Sequence, residues 1–279
     1  SATRSILERE DVIVISSVSC IYGIGSPAEY EKQKIVLFSK EKIDRDEFLK
    51  KLISIQYERE DLDFARGSFR VRGDIVEIFP AHEEANVIRV EFFDDEIDQI
   101  SIIDPLKGDL VEQLEKIIIY PSSHYVVGEK KLKHAIKTIT KELNERLSDL
   151  KKLKKISEYQ RLEQRTLLDI EMLEELGYCS GIENYSRHLT GTKPGDPPPT
   201  LIDYFGDDFL MIVDESHITI PQVGGMYRGD RARKLNLVEH GFRLPSALDN
   251  RPLNFLEFEN KISKQLFVSA TPGDYEMEK

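Results

Sequence analysis

Residues 64–80 read FARGSFRVRGDIVEIFP, and residues 87–104 read VIRVEFFDDEIDQISIID. In the first stretch Phe69 and Val71 fall on one face of an extended chain, with Arg70 and Arg72 on the other. In the second, Ile88, Val90 and Phe92 alternate with Arg89 and Glu91. Side chains of a strand point to opposite faces in turn, so a period of two marks half-buried antiparallel strands. Arg72-Gly73-Asp74 reads as a tight turn, and a second turn is expected near Asp94-Asp95. The two stretches predict a β-rich module with its own apolar face.

On the C-terminal side of that module the period changes. Leu132, Ile136, Ile139, Leu143, Leu147, Leu150 and Leu153 recur at steps of three and four among Lys and Glu. This spacing predicts a long helix or a helical hairpin over 128–176, with a break near Ile156-Ser157-Glu158. The Gly- and Pro-dense segment GYCSGIENYSRHLTGTKPGDPPPT, residues 177–200, predicts a loop. Three short unbroken apolar runs lie outside both regions: Asp11–Ser17 (DVIVISS), Phe209–Val213 (FLMIV) and Leu266–Ser269 (LFVS). Such runs fit strands of a parallel sheet buried on both faces. Ligands of open α/β sheets gather at the carboxyl ends of strands, which makes the ends of these runs candidates for one shared site.

The chain has 279 residues, enough for about two domains. A formal net charge of −12 excludes a uniformly basic nucleic-acid coat while leaving room for a local basic groove. Cys20 and Cys179 are far apart and in no CxxC or Cys/His cluster, which suits a reducing cytoplasm and gives a metal site no support. No stretch approaches the roughly 18 apolar residues of a membrane span. The chain opens on SATRSILERE and closes on GDYEMEK, and both ends read as cuts within a longer protein.

FLMIVDESH, residues 209–217, places two adjacent carboxylates after an apolar run. Asp214 at such a position can hold Mg²⁺ through a water, and Glu215 can orient an attacking water, as phosphoryl transfer requires. The plainer alternative is a polar strand end or helix N-cap. SATP at 269–272 ends a later run and strengthens the first reading. His217, Ser269 and Thr271 could then couple the nucleotide to motion, although His217 and His188 also read as ordinary hydrogen-bonded histidines. No GxxxxGK[ST] occurs, and Gly224-Gly225 lacks the Lys-Ser/Thr that would follow. Tight nucleotide binding is therefore not expected of this chain, and a phosphate loop is expected upstream of Ser1.

Arg59, Arg66, Arg70, Arg72 and Arg89, with Glu91, crowd the β-rich module. They could make bidentate pairs with carboxylates of a partner, or form a solvated strand face. Farther on, Tyr178, Tyr185 and Phe242 could stack on bases, and Arg187, Arg228, Arg231, Arg233, Lys234 and Arg243 could meet phosphates. From composition alone, aromatics in the core and charges in solvent fit equally well.

Together SVSCIYGIGSP, FARGSFRVRGDIVEIFP, IRVEFFDDEID, YCSGIENYSRHLTG, FLMIVDESH, GDRARK, HGFRLPSALDNRPL and LFVSATPG resemble the UvrB family of the excinuclease ABC. The resemblance runs along nearly the whole chain, and GIENYSRHLTG and HGFRLPSALDNRPL are its most specific strings. It implies a helicase-like, ATP- and Mg²⁺-using component of bacterial nucleotide excision repair that takes damaged DNA from UvrA and recruits UvrC. The implied α/β fold is part of a RecA-like parallel sheet of the P-loop NTPase type, with an inserted β-rich domain and a helical domain. Residues 1–32 and 199–279 would belong to the first motor domain, 33–126 to the domain that docks UvrA, and 127–198 to helices beside the DNA path. The resemblance makes Asp214 and Glu215 the Mg²⁺ and water-activating pair, and Arg59, Arg70, Arg72, Arg89 and Glu91 the UvrA contacts. Tyr125, Arg165, Tyr178 and Glu183 match its DNA channel. The family's phosphate loop, β-hairpin, second motor domain and UvrC-binding helices are not in this sequence, so the chain alone is expected to be inactive. A protein-interaction module alone, or a piece of the transcription-repair coupling factor, which carries a similar β-module, are the alternatives.

Overall fold

A computed structural model describes residues 2–279, and in it the alternating stretches form a meander of antiparallel strands. In chain order the elements are α1 (Ala2–Glu8), α2 (Pro27–Lys32), β1 (Ile35–Phe38), α3 (Arg45–Ser54), β2 (Glu58–Arg59), β3 (Ser68–Arg72), β4 (Ile75–Phe79), β5 (Val87–Phe93), β6 (Glu96–Ile103) and β7 (Leu110–Leu114). There follow β8 (Lys116–Ile119), α4 (Glu129–Lys152), α5 (Ile156–Leu176), α6 (Ser186–Thr190), β9 (Leu210–Asp214), α7 (Ser216–Glu239), α8 (Phe255–Asn260), β10 (Lys264–Val268) and α9 (Asp274–Glu278). The chain divides into two units, Ala28–Gly128 and Ala2–Pro27 with Glu129–Lys279.

In the first unit β2 to β7 form a six-stranded sheet in sequence order. The β2–β3 pair is parallel and the rest are antiparallel. Both expected turns are present. Arg72 pairs with Ile75 around Gly73-Asp74, and Phe93 pairs with Glu96 around Asp94-Asp95. Gly73 and Asp94 have φ of 61° and 57°, the left-handed backbone that two-residue hairpin loops demand. One face of the sheet carries Phe69, Val76, Ile78, Ile88, Val90 and Ile100 into a core shared with Phe48 and Leu52 of α3, Leu37 of β1 and Ile119 of β8. Each such side chain contributes about 1.5–3 kcal/mol by leaving water. The opposite face carries Arg70, Arg72, Glu77, Arg89 and Glu91 at its polar centre, with Ile75 among them and Phe79, Val87 and Ile103 toward one end.

In the second unit α4 and α5 pack together, burying Ile136, Ile139, Leu143, Leu147 and Leu150 against Leu162, Ile170 and Leu173. The break between them comes earlier than the sequence suggests, at residues 153–155, where Lys154 takes φ of 57°. Leu153 is 62 % exposed, because the chain has already left the helical seam there. Residues 177–200 are more structured than their composition indicates. Gly177, Gly181 and Gly191 sit in left-handed caps around a 3₁₀ turn at Ile182–Tyr185 and α6. Cys179, Ile182, Tyr185 and Leu189 are buried at helix-like spacing.

Among the described residues the expected parallel sheet is present only as the pair β9–β10, in register from Leu210 opposite Lys264 to Asp214 opposite Val268. Val213, with Ile220, Val223, Phe258 and Ile262, forms a core on one side. On the other side Leu210, Ile212, Leu266 and Val268 stay about half exposed, so the two strands are not buried on both faces. The third expected strand, Asp11–Ser17, is irregular, with Ile13 and Ile15 at 92 % and 96 % exposure. A strand exists only with a ladder neighbour, and among the described residues none pairs with this run. No helix among the described residues is long and apolar enough to cross a membrane.

Candidate functional site

Strand register brings three of the six arginines of the first unit, Arg70, Arg72 and Arg89, onto one face. Arg70 of β3 stands opposite Glu77 of β4, which stands opposite Arg89 of β5. Arg72, Ile75 and Glu91 form the next row on the same polar face. Arg70 Nε donates to Glu77 Oε2 at 2.5 Å, and Arg89 donates from Nε and Nη2 to Glu77 Oε1 at 3.0 and 2.6 Å. Burial alone would raise the Glu77 carboxyl, but the hydrogen bonds from Arg89 and Arg70 outweigh it and hold the group below the ordinary carboxylate range. The Arg70 guanidinium also lies 4.4 Å from the Phe64 ring centre. Arg59 stands apart from the other four residues. On the edge strand β2 it is aligned with Phe69, one pleat position away from Arg70, and it pairs with Asp61. Glu77 is the residue of this face that sequence reasoning missed.

In the second unit, DESH and SATP meet. The parallel register sets Asp214 beside Val268, so Ser269 begins just past the end of the ladder. The two motifs therefore share the carboxyl ends of β9 and β10. Asp214 Oδ1 accepts the Glu215 N–H at 3.0 Å, and the Thr219 hydroxyl donates to the Asp214 carbonyl at 2.8 Å. Glu215 takes φ of 45° and ψ of 49°, a left-handed conformation that strains a non-glycine residue by about 1–2 kcal/mol. Its carboxylate is exposed at the turn. His217 Nδ1 lies 2.8 Å from Ser269 Oγ, which in turn accepts the Thr271 N–H at 3.1 Å. Among the described residues no cluster of three or more His, Cys, Asp or Glu could cage a metal. Asp214 and Glu215 are both exposed at this strand end, where a carboxylate could meet a hydrated cation only from the outer sphere.

A third group surrounds Asp169 of α5. Tyr185 donates its hydroxyl to Asp169 at 2.7 Å, and Arg165 Nε stands 3.8 Å from the same carboxylate. Burial pushes Tyr185 far above the ordinary phenol range, with the bond to Asp169 adding to it. Arg165 and Glu183 converge on Gly181, each within 4 Å of where a β-carbon would stand. Arg243 is depressed by burial first and by the neighbouring Arg165 second. Asp169 and Glu183 lie in the same neighbourhood and offset the two guanidinium charges. Tyr178 is 41 % exposed nearby in sequence. Tyr125 belongs to the other unit.

Two cations that could have met phosphates point inward instead. Arg187 lies between Glu142 and Asp249, at 3.2 and 2.7 Å, and its side chain is 17 % exposed. Lys234 is 5 % exposed and paired with Asp230 at 3.0 Å. Lys234 neutralises the buried Asp230, and Arg187 the mostly covered Glu142 and Asp249, a demand that composition does not reveal. His188 is the structural histidine expected, bonded through Nδ1 to Thr138 and through Nε2 to Glu142.

Residues 35–125 match the family described as the UvrB interaction domain, and residues 130–191 match the UvrB third helical domain. Over 278 residues the chain is 58 % identical to the UvrABC system protein B of Geobacillus kaustophilus and to that of Enterococcus faecalis. It is 56 % identical over 279 residues to the UvrABC system protein B of Symbiobacterium thermophilum. Each comparison covers the whole of this chain and 42 % of the relative, so the chain spans less than half the length of the relatives it matches. The chain belongs to the UvrB family and carries that family's interaction domain and third helical domain.

Proposed function

We propose that this chain is the UvrA-docking and central portion of a nucleotide excision repair protein, and that Arg70, Arg72, Arg89 and Glu91 are its docking face, with Arg59 at the edge. The observation that carries the proposal is the gathering of those four residues on the polar face of a sheet lying within residues 35–125, which match the UvrB interaction domain. The face suits a partner surface bearing carboxylates, since guanidinium forks bind them bidentately.

Residues 33–126 are the inserted docking domain, 127–198 the helices along the DNA path, and 1–32 with 199–279 parts of a RecA-like motor domain. In the longer protein Asp214 would hold Mg²⁺ through water, and Glu215 would polarise the water that attacks ATP. His217, Ser269 and Thr271 would couple that step to strand probing of damaged DNA before UvrC cuts. The hydrogen bonds joining His217, Ser269 and Thr271 support the coupling role. Arg165, Tyr178 and Glu183 are the DNA-facing residues of the second unit, with Arg243 beside Arg165, and Tyr125 is that of the first. Arg187 serves instead as a buried anchor. This chain lacks a phosphate loop sequence and is inactive as an ATPase by itself.

The test is a calorimetric titration of the 279-residue chain with purified UvrA. Micromolar or tighter binding that is lost in Arg70→Ala/Arg72→Ala is the expected result. A folded chain that does not bind would sink the docking role.

A further inference from the structure

We infer that Glu77 is the positioning residue of the docking face: it grips Arg70 and Arg89 by their inner nitrogens and thereby aims the remaining nitrogens at the partner. The inference rests on the docking role proposed above. Glu77 occupies the middle strand of three, with one arginine on each side in register. It is 4 % exposed although it lies on the polar face of the sheet, because the two arginines cover it. Its oxygens are divided between them, Oε2 to Arg70 and Oε1 to Arg89.

The bonds use Nε of Arg70 and Nε with Nη2 of Arg89. Both terminal nitrogens of Arg70 and Nη1 of Arg89 are outside the Glu77 clamp. The side chains are 17 % and 27 % exposed, so only part of each arginine meets solvent. Phe64 adds a second restraint on Arg70 and itself packs 5.8 Å from Phe79. An arginine already fixed in place gives up less freedom when a partner binds, which is how preorganisation raises affinity. Neighbouring strands lie about 4.8 Å apart, so the two arginines, two strands from one another, can engage two separate carboxylates.

Charge and positioning predict opposite signs for one substitution. Glu77→Gln makes the face more positive by one unit. If the face works by charge alone, an acidic partner surface binds that variant more tightly. If Glu77 positions the arginines, the variant binds more weakly, by roughly tenfold for two loosened side chains. Glu77→Asp keeps the charge and shortens the reach by one methylene, and it too should weaken binding.

The experiment is titration of UvrA into the wild-type chain, Glu77→Gln, Glu77→Asp and Arg72→Ala, with thermal melts of each. Arg72 is exposed and stands outside the Glu77 clamp, so Arg72→Ala reads the docking face independently. Weakened binding by both Glu77 variants supports the inference. If Glu77→Gln does not fold, the charge-preserving Glu77→Asp decides alone. Binding lost in Arg72→Ala but wild-type or tighter in the Glu77 variants overturns the positioning role and leaves the docking role standing. No binding by the folded wild-type chain, or none lost in Arg72→Ala, overturns the docking face and this inference with it.

Discussion

Nε2 of His188 lies 2.6 Å from Oε2 of Glu142, a contact that closes 46 residues of sequence. The same carboxylate accepts the Ser246 N–H at 2.7 Å and stands 3.2 Å from Arg187 Nη2. One side chain of α4 thus fastens α6 and the turn at Pro245–Asp249. Removing it by Glu142→Ala would leave the Arg187 guanidinium half-paired and the Ser246 amide without its acceptor. Breaking a buried pair from one side usually costs about 3–5 kcal/mol, and Asp249 retains part of the Arg187 pairing, so a loss of about 2–4 kcal/mol is expected. Urea denaturation followed by helical circular dichroism measures it. A variant within 0.5 kcal/mol or so of wild type would show that the cluster is ornamental, since surface substitutions usually fall in that range.

The same carboxylate sets a pH dependence. Burial raises Glu142, but the bonds from His188 and Ser246 and the charges of His188 and Arg187 bring it below the ordinary carboxylate range. Glu77 and Glu257 follow the same pattern, with Arg89 and Arg70 on the first and Arg251 on the second outweighing burial. A carboxyl depressed in the folded state contributes stability above its unfolded value and loses it as pH falls through the folded one. Acidification also relieves the repulsion of a chain with net charge −12, which works in the opposite direction. The difference between wild type and Glu142→Gln removes that shared term. The stability gap between them should be widest near neutral pH and shrink once the pH drops below about 4. A gap that stays constant, or widens in acid, would mean that the folded state does not depress this carboxyl.

What the sequence disclosed and what it concealed have physical causes. Phe69, Val71, Ile88 and Val90 announced their strands because they alternate with Arg70, Arg72, Arg89 and Glu91, which face the other side of the sheet. The turns at Gly73 and Asp94 were visible for the same local reason. Asp214 and Ser269 could be placed together, because both end apolar runs and a parallel pair aligns such ends. Glu77 was invisible: one Glu in an outward strand position looks like any other until β3, β4 and β5 are in register. Arg187 was misjudged because its partner Asp249 is 62 residues away. Ile13 and Ile15 look like core residues in sequence, yet a strand takes its place from its neighbours, and here there are none among the described residues.

Gly241 shows how one small residue can be required by distant backbone. Its φ is 71°, a conformation glycine adopts freely, and a β-carbon there would stand 2.4 Å from the carbonyl oxygen of Glu158 and 2.8 Å from its Cα. Those atoms belong to the first turn of α5 and cannot swing aside as a side chain would. The contact is reinforced on both flanks. Arg161 donates to the His240 carbonyl at 2.5 Å and lays its guanidinium 4.3 Å from the Phe242 ring centre, and the Phe242 N–H bonds to the Leu237 carbonyl at 2.8 Å. Gly206 is the natural control, with φ of 69° and nothing within 4 Å of its missing β-carbon. Gly206→Ala should cost only the strain of a left-handed alanine, about 1 kcal/mol, whereas Gly241→Ala adds a backbone clash and should cost about 3 kcal/mol or more. Chemical denaturation of the two variants side by side gives the comparison. Equal losses would mean that the α5 start can draw back from the end of α7 without penalty, and that the glycine answers to its φ alone.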